Sequence, residues 1–321
     1  MARVTSTDVA REAGLSRATV SYVLNADPRQ RIPEPTRQRV LEAAARLEYV
    51  PYGPARLLRG APGTTVVLVT PSLATAAEPV GARIVADLAE TLTSRGLQLL
   101  WQLGSAVAGM SSDLAPVLVL TSLGEDEVGF SDLVRNSRVP VRSIFPGLDA
   151  FQAAPGRAQV DHLFSRGHRV LGFAAPYGPL LHRPSALRRD AVLARAHELG
   201  LPEPRIFAMP SDRAEARVKL EALFALDQPP RAICAYNDRV ALVILAAAAD
   251  LGISVPGDLA VIGVDDDPVS QLSIPALSSV GADLGSFVAD LAAEVAALVA
   301  GEDPVGVRLP VRPMVVARDS S

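Results

Sequence analysis

From Thr65 onward the chain switches repeatedly between two hydrophobic periods, and this switching restricts the fold more than any other feature. Thr65–Thr70 is an unbroken run of strand length, and the stretch after it, about 80–95, repeats its apolar residues at helical spacing. The pattern predicts strands at Gln98–Leu103 and Val117–Thr121, a helix at Glu125–Asn136, a strand at Val139–Phe145, and a helix at Ala158–Arg166 stopped by Gly167. A second series follows. Strand Val170–Ala174 precedes helix Leu187–Leu199, strand Arg205–Ala208 precedes helix Arg213–Leu226, strand Ala232–Tyr236 precedes helix Arg239–Leu251, and strand Leu259–Val264 completes the run. Strands joined through helices lie parallel, so the expectation is an α/β body of two doubly wound lobes. In such sheets ligands bind outside the carboxyl ends of the strands, which makes the interlobe cleft the expected pocket.

Length agrees with more than one domain. The 321 residues exceed the roughly 150 typical of a single domain. With 49% hydrophobic and 21% charged residues, large buried cores are affordable and a disordered chain is excluded. The longest apolar run, Val240–Ala249, is about half of a membrane span. The N-terminal residues lack a secretory leader pattern, and the single cysteine, Cys234, allows no internal disulfide. A cytoplasmic location is expected.

Charge is divided unevenly. Residues 1–60 hold ten arginines and six acids, a net of +4; since the chain holds 31 basic and 35 acidic residues, the remainder carries −8. A basic head on an acidic body fits a polyanion partner for the head alone, and fits a solvated charged surface equally well.

The head reads as all-α. Thr7 or Ser6 is placed to cap a helix over Asp8–Ala13, with Val9, Ala10 and Ala13 inward and Gly14 as its left-handed stop. Ser16 caps a second helix, about Arg17–Asn25, with Val20, Val23 and Leu24 inward. A third, about Glu34–Glu48, closes the core with Val40, Leu41, Ala44 and Leu47. Two short helices joined by Ala-Gly-Leu-Ser describe a helix-turn-helix. Such a motif lays its second helix in the DNA major groove. Arg17, Ala18, Ser21 and Tyr22 face outward on that helix. Arginine pairs with guanine O6 and N7, and alanine touches a thymine methyl. Thr5, Ser6, Ser16, Thr19, Ser21 and Asn25 are short donors suited to phosphates. The bland alternative is a pair of short core helices.

The run Val4–Asn25, with Thr36–Val40 and Leu47–Pro51, resembles the N-terminal signature of the lactose-repressor (LacI/GalR) family of bacterial transcription regulators. Gly167-His-Arg, Tyr236-Asn237-Asp238, Val261–Asp266, Ile274–Val280 and Leu309–Arg318 extend the resemblance through the body. It implies a helix-turn-helix DNA-binding domain at 1–50, a hinge helix at 51–62, and an effector-binding and dimerisation domain at 63–321. That last domain would be periplasmic-binding-protein-like, its first lobe spanning about 63–158 plus 282–308. By resemblance the hinge enters the minor groove, Leu58 wedges a base step open, and Arg56 and Arg59 sit near phosphates. Pro54 and Gly53 depart from the family's usual polar residues there, and a flexible linker is the other reading.

The resemblance also supplies effector contacts. Arg188 corresponds to the arginine that grips effector oxygens, Asn237 and Asp265 to the amide and carboxylate that bind hydroxyls, and Phe151 to an aromatic on which a sugar face packs. Each has a plainer alternative: Arg188 as a surface partner of Asp190 or Glu198, Asn237 with Asp238 as a helix cap, and Asp265–Asp267 as a turn before Pro268. Two departures stand out. Gly104–Pro116 is too short for the family's usual helix, and Phe145–Gly156 is abbreviated, with Phe145 where an acidic ligand-binding residue often sits. The histidines have no metal-ligand spacing and no phosphate loop or nucleophile elbow appears, so no metal, cofactor or catalytic residue is assigned.

The expectation is therefore a dimeric, sequence-specific DNA-binding regulator, a repressor by resemblance, controlled by a small molecule such as a sugar. Its partners are double-stranded operator DNA, an effector and a second copy, with no membrane. The alternatives are a regulator that has lost its small-molecule response, and a cytosolic sugar-binding protein or enzyme.

Overall fold

The computed structural model describes residues 5–24, 32–47, 63–70, 79–104, 116–125, 127–144, 148–178, 182–303 and 312–321. The chain divides into two compact units: a head holding the described residues up to Thr65, with 116 and 117, and a body holding the rest.

The head is three helices, α1 (Ser6–Ala13), α2 (Arg17–Leu24) and α3 (Glu34–Arg46). Each buries one face. Val9, Ala10 and Ala13 of α1, Val20 and Val23 of α2, and Val40, Ala43 and Ala44 of α3 form one cluster, with Leu15, Leu24, Ile32 and Leu47 against its margin. Small alanines let three short helices approach closely. Two expectations need correction. Thr5, and neither Ser6 nor Thr7, caps α1: its side chain accepts from the Asp8 amide while Asp8 bonds back to Thr5. Leu41 is 42% exposed, because the buried stripe of α3 runs through Ala43 instead. Gly14 ends α1 at φ +63°, a left-handed conformation that costs glycine little.

The body holds two sheets, as the alternating periods require. The four-stranded sheet has the order β2-β1-β3-β4, from β1 (Thr65–Thr70), β2 (Gln98–Leu103), β3 (Leu118–Thr121) and β4 (Val141–Ser143). β3 is parallel to both β1 and β4. The six-stranded sheet has the order β10-β9-β8-β7-β5-β6, from β5 (Leu171–Pro176), β6 (Arg205–Met209), β7 (Ala232–Ala235), β8 (Ala260–Val264), β9 (Ser278–Gly281) and β10 (Met314–Val316). It is parallel except for β10, which runs antiparallel to β9 at the edge. β7 and β8 are buried along their whole length, as strands covered on both faces must be.

The helices of the body are α4 (Pro79–Ser94), α5 (Val128–Asn136), α6 (Leu148–Ser165), α7 (His182–Glu198), α8 (Arg213–Phe224), α9 (Asp238–Asp250) and α10 (Leu284–Ala300). α6 packs along α7 and against β7–β10, while α10 packs on α4 and β3. Sequence periodicity placed the start of α6 at Ala158, because Pro155-Gly156 reads as a break. The helix instead runs ten residues further back, with Pro155 inside it. A Cβ on Gly156 would lie 2.6 Å from the Arg188 carbonyl oxygen, so this glycine is where α6 and α7 touch backbone to backbone. β9, α10 and β10 extend the alternation past the last strand that periodicity predicted.

Candidate nucleic-acid interface and effector site

On the head, α2 begins at a cap and presents its first turn outward. Ser16 Oγ accepts from the Thr19 amide at 3.0 Å and shares a 2.9 Å hydrogen bond with Thr19 Oγ1. Arg17, Ala18 and Tyr22 are exposed, and Ser21 is half-buried. Val20 and Val23, on the opposite face, lock the helix to α1 and α3. The Arg46–Glu12 ion pair, 3.2 Å long, joins α3 to α1. Thr5 is less available for phosphates than its type suggests. Its hydroxyl donates to Asp8 Oδ2 at 2.6 Å, which holds the Asp8 carboxyl below the usual range. Ser6 is half-buried on α1. Asn25, Arg56, Leu58 and Arg59 lie outside the described residues.

The four positions proposed for the effector come from different elements, and three of them gather at the carboxyl ends of β7 and β8. Arg188, on α7, is buried. Its guanidinium donates to the Tyr236 carbonyl just beyond β7 and to the side-chain oxygen of Gln152 at 2.6 Å, and its Nε reaches the Gln152 carbonyl at 3.5 Å. It also lies 4.7 Å from the centre of the Tyr236 ring, a cation–π distance. The surface pairing with Asp190 or Glu198 does not occur: Arg189 takes Asp190, while Arg157 and Arg195 take Glu198. Asn237 follows Tyr236, is buried, and caps α9 by accepting from the Val240 amide at 3.0 Å. Asp265 follows β8, half-buried, with a φ of +108° and its amide bonded to the Val280 carbonyl. Phe151, also half-buried, precedes Gln152 on α6. Phe145 and residues 105–115 lie outside the described residues.

Sequence reasoning missed the group that holds this end of the sheet together. Asp238 is buried and accepts from Ser279 Oγ (2.6 Å), Ser270 Oγ (2.7 Å) and the Asp267 amide (2.8 Å). Burial pushes its carboxyl up to about 6, against the pull of those three donors. Gln159 sends its Nε2 to the carbonyls of Ala235, Ile262 and Gly263 at 2.8–3.2 Å, bridging β7 and β8. Nothing in the spacing of Gln152 or Gln159 marks them out beyond a shared face of α6. The acidic run after β8 has structural duties: Asp266 pairs with Arg318 at 2.6 Å, and Asp267 caps a 3-10 turn through Val269. Across the two sheets, Arg183 at the start of α7 lies 3.6 Å from Glu127, ahead of α5, and 3.3 Å from Asp149 of α6. Cys234 is buried in β7, and burial raises its thiol far above the ordinary value. Among the described residues no cluster of three or more His, Cys, Asp or Glu could hold a metal ion, and no helix is long and apolar enough to cross a membrane.

Residues 5–52 match the family described as bacterial regulatory proteins, lacI family, and residues 160–321 match the periplasmic binding protein-like domain. Catabolite control protein A of Priestia megaterium is 30% identical over 298 residues, covering 86% of this chain and 87% of that protein. Among solved structures, a lac repressor dimer bound to operator and an anti-inducer superposes with a TM-score of 0.79 at 22% identity, covering 99% of each chain. A transcriptional regulator CelR–cellobiose complex gives 0.67 at 24% identity, covering 99% of this chain and 100% of that one. At these identities the structural matches speak for the fold.

Proposed function

The chain belongs to the lacI family of bacterial regulatory proteins, and we propose that it acts in the cytoplasm as a dimeric repressor on a palindromic operator, with a small-molecule effector bound at the carboxyl ends of β7 and β8. It is a DNA-binding transcriptional regulator; its relatives are regulators and not enzymes. The observation that carries the proposal is the presentation of α2. Its inward face is fixed by Val20 and Val23, its start is fixed by Ser16, and its first turn offers Arg17, Ala18 and Tyr22 outward. Arg17 pairs with a guanine edge, Ala18 and Tyr22 contact neighbouring bases, and Ser6, Ser16, Thr19 and Ser21 lie toward phosphates, with Thr5 the weakest of these contacts because its hydroxyl is shared with Asp8. Asn25, Arg56, Leu58 and Arg59 complete the interface, Leu58 as the minor-groove wedge. Two copies would read half-sites about one helical turn apart.

Arg188, Asn237, Asp265 and Phe151 form the effector contacts. The cellobiose bound by a similar regulator favours a polyhydroxyl ligand. An effector that binds one arrangement of the lobes more tightly shifts the population able to hold DNA. The test is selection of binding sites from genomic fragments by the full chain, followed by anisotropy titration on the selected site. Arg17→Ala is expected to weaken that site by about 1–3 kcal/mol and to relax one base position. An unchanged profile would remove Arg17 from the reading set, and no enrichment of any site would overturn the proposal.

A further inference from the structure

The four arginines of α7 are treated differently by the fold. Arg183, Arg189 and Arg195 lie partly exposed, and each has a carboxylate partner. Arg188 is only 4% exposed, yet among the described residues it forms no ion pair. Its acceptors are all neutral: the Tyr236 carbonyl, the Gln152 carbonyl and the Gln152 carboxamide oxygen. A buried cation satisfied only by dipoles gains more from an added anion than from an added neutral group, since an anion adds a charge–charge attraction, strengthened away from water, that a carbonyl or carboxamide dipole lacks. A sugar hydroxyl has little to offer over the carboxamide oxygen it would displace. An oxyanion does.

The surroundings say which group can give way. Gln152 sits one helical turn before Gly156, where α6 and α7 are already in backbone contact with Arg188. The helices cannot close further, and the Tyr236 carbonyl is fixed at the end of β7 between Ala235 and the cap residue Asn237. The Gln152 side chain is the movable partner.

We infer that the effector carries an oxyanion, a carboxylate or a phosphate, which seats on Arg188 in place of the Gln152 carboxamide. This rests on the reading of Arg188 as an effector contact. Asp265 and Asn237, at the ends of β8 and β7, then receive hydroxyls of the same molecule. The ligand class is a polyhydroxyl compound bearing one anionic group, a sugar acid or a sugar phosphate, and Gln152 is the residue that makes neutral sugars compete on equal terms with the protein's own amide.

The test uses bare probes on the full chain: sodium acetate, inorganic phosphate and acetamide, with sodium chloride at matched ionic strength as the reference. Gln152→Ala removes the competing carboxamide. Its melting temperature is expected to rise with acetate or phosphate by at least twice the wild-type shift, to stay flat with acetamide, and to lose the response when Arg188→Gln is added. A response to acetate alone assigns a carboxylate, to phosphate alone a phosphate ester, and to both a site that reads charge. Equal shifts in wild type, Gln152→Ala and the double variant would overturn the inference, as would equal responses to acetamide and acetate. Gln152→Glu gives an independent reading if Gln152→Ala does not fold. Its built-in carboxylate should raise the melting temperature and remove the acetate response, and a lower melting temperature than wild type counts against the proposal. Operator binding is measured separately on the wild-type chain. Its persistence alongside a failed anion response rejects the ligand class alone, and its absence rejects the regulator reading.

Discussion

The head and the second sheet of the body place their proposed functional side chains in opposite ways. On the head, Arg17, Ala18 and Tyr22 point away from the core, and what fixes them is the helix beneath: a serine cap and two buried valines. In the body, Arg188 and Asn237 are buried, and other residues hold them by hydrogen bonds. An outward reader depends on local geometry, so changes nearby should alter affinity without unfolding the protein. An inward site is part of its own core, so the same kind of change should be felt first as lost stability.

The largest effect that would sharpen this contrast is at Gly263 in β8. A Cβ there would fall 2.0 Å from Asp238 Oδ1 and 3.1 Å from the Asp238 Cα. Asp238 cannot swing aside, since two serines and a backbone amide hold it. Gly263→Ala should cost about 3 kcal/mol, the upper part of the overpacking range, in the urea unfolding of the body. An unfolding midpoint within error of wild type would show that this strand end is looser than its contacts imply.

A smaller effect comes from the charge of Asp238. An ordinary aspartate titrates near 3.8, and in the fold burial pushes this one up to about 6. The folded chain therefore holds that proton more tightly than the unfolded chain. The group's contribution to stability is fullest below pH 4 and is lost as pH rises through about 6. Between pH 5 and 7.5 it should remove about 1 kcal/mol. Its charged neighbours are Asp266 and Arg318, which pair with each other at 2.6 Å. Comparing melting temperatures of wild type and Asp238→Asn across this window isolates the term: the advantage of wild type should shrink as pH rises. A constant gap would mean that the carboxylate is already ionised at pH 5.

The smallest effect belongs to the head. Ser16→Ala removes the acceptor of the Thr19 amide and should cost about 1 kcal/mol of head stability. Operator affinity should fall slightly while the preferred sequence stays the same. A changed sequence preference would mean that Ser16 itself contacts bases.

The sequence was most readable where helix period and caps act alone. Val9, Ala13, Val20, Val23 and Val40 are buried as their spacing predicts, and Gly14 and Ser16 stand where they punctuate α1 and α2. Small errors followed where two choices were locally equivalent. Thr5, Ser6 and Thr7 are all able caps, and the reciprocal bond from Asp8 selects Thr5. Leu41 lost its place in the core to Ala43 because the buried face of α3 runs through Val40, Ala43 and Ala44. In the body β1 to β8 were legible from hydrophobic period, while β9 and β10 lay past the last strand it predicts. The early turns of α6 were not, because Pro155-Gly156 signals a break unless a second helix is pressed against the glycine.

Local patterning suffices for the alternation of strands and helices, the three-helix head and the outward face of α2, since each depends on residues within a turn or two of one another. What meets the guanidinium of Arg188 is set only once the chain has folded. Its partners stand 36 and 48 positions away along the chain, on one helix and beyond one strand, and the first is reached where Gly156 lets two helices touch. Local periodicity fixes which side of an element is buried; the acceptor that a buried charge finds there is set by the approach of separate elements, which no short window of sequence encodes.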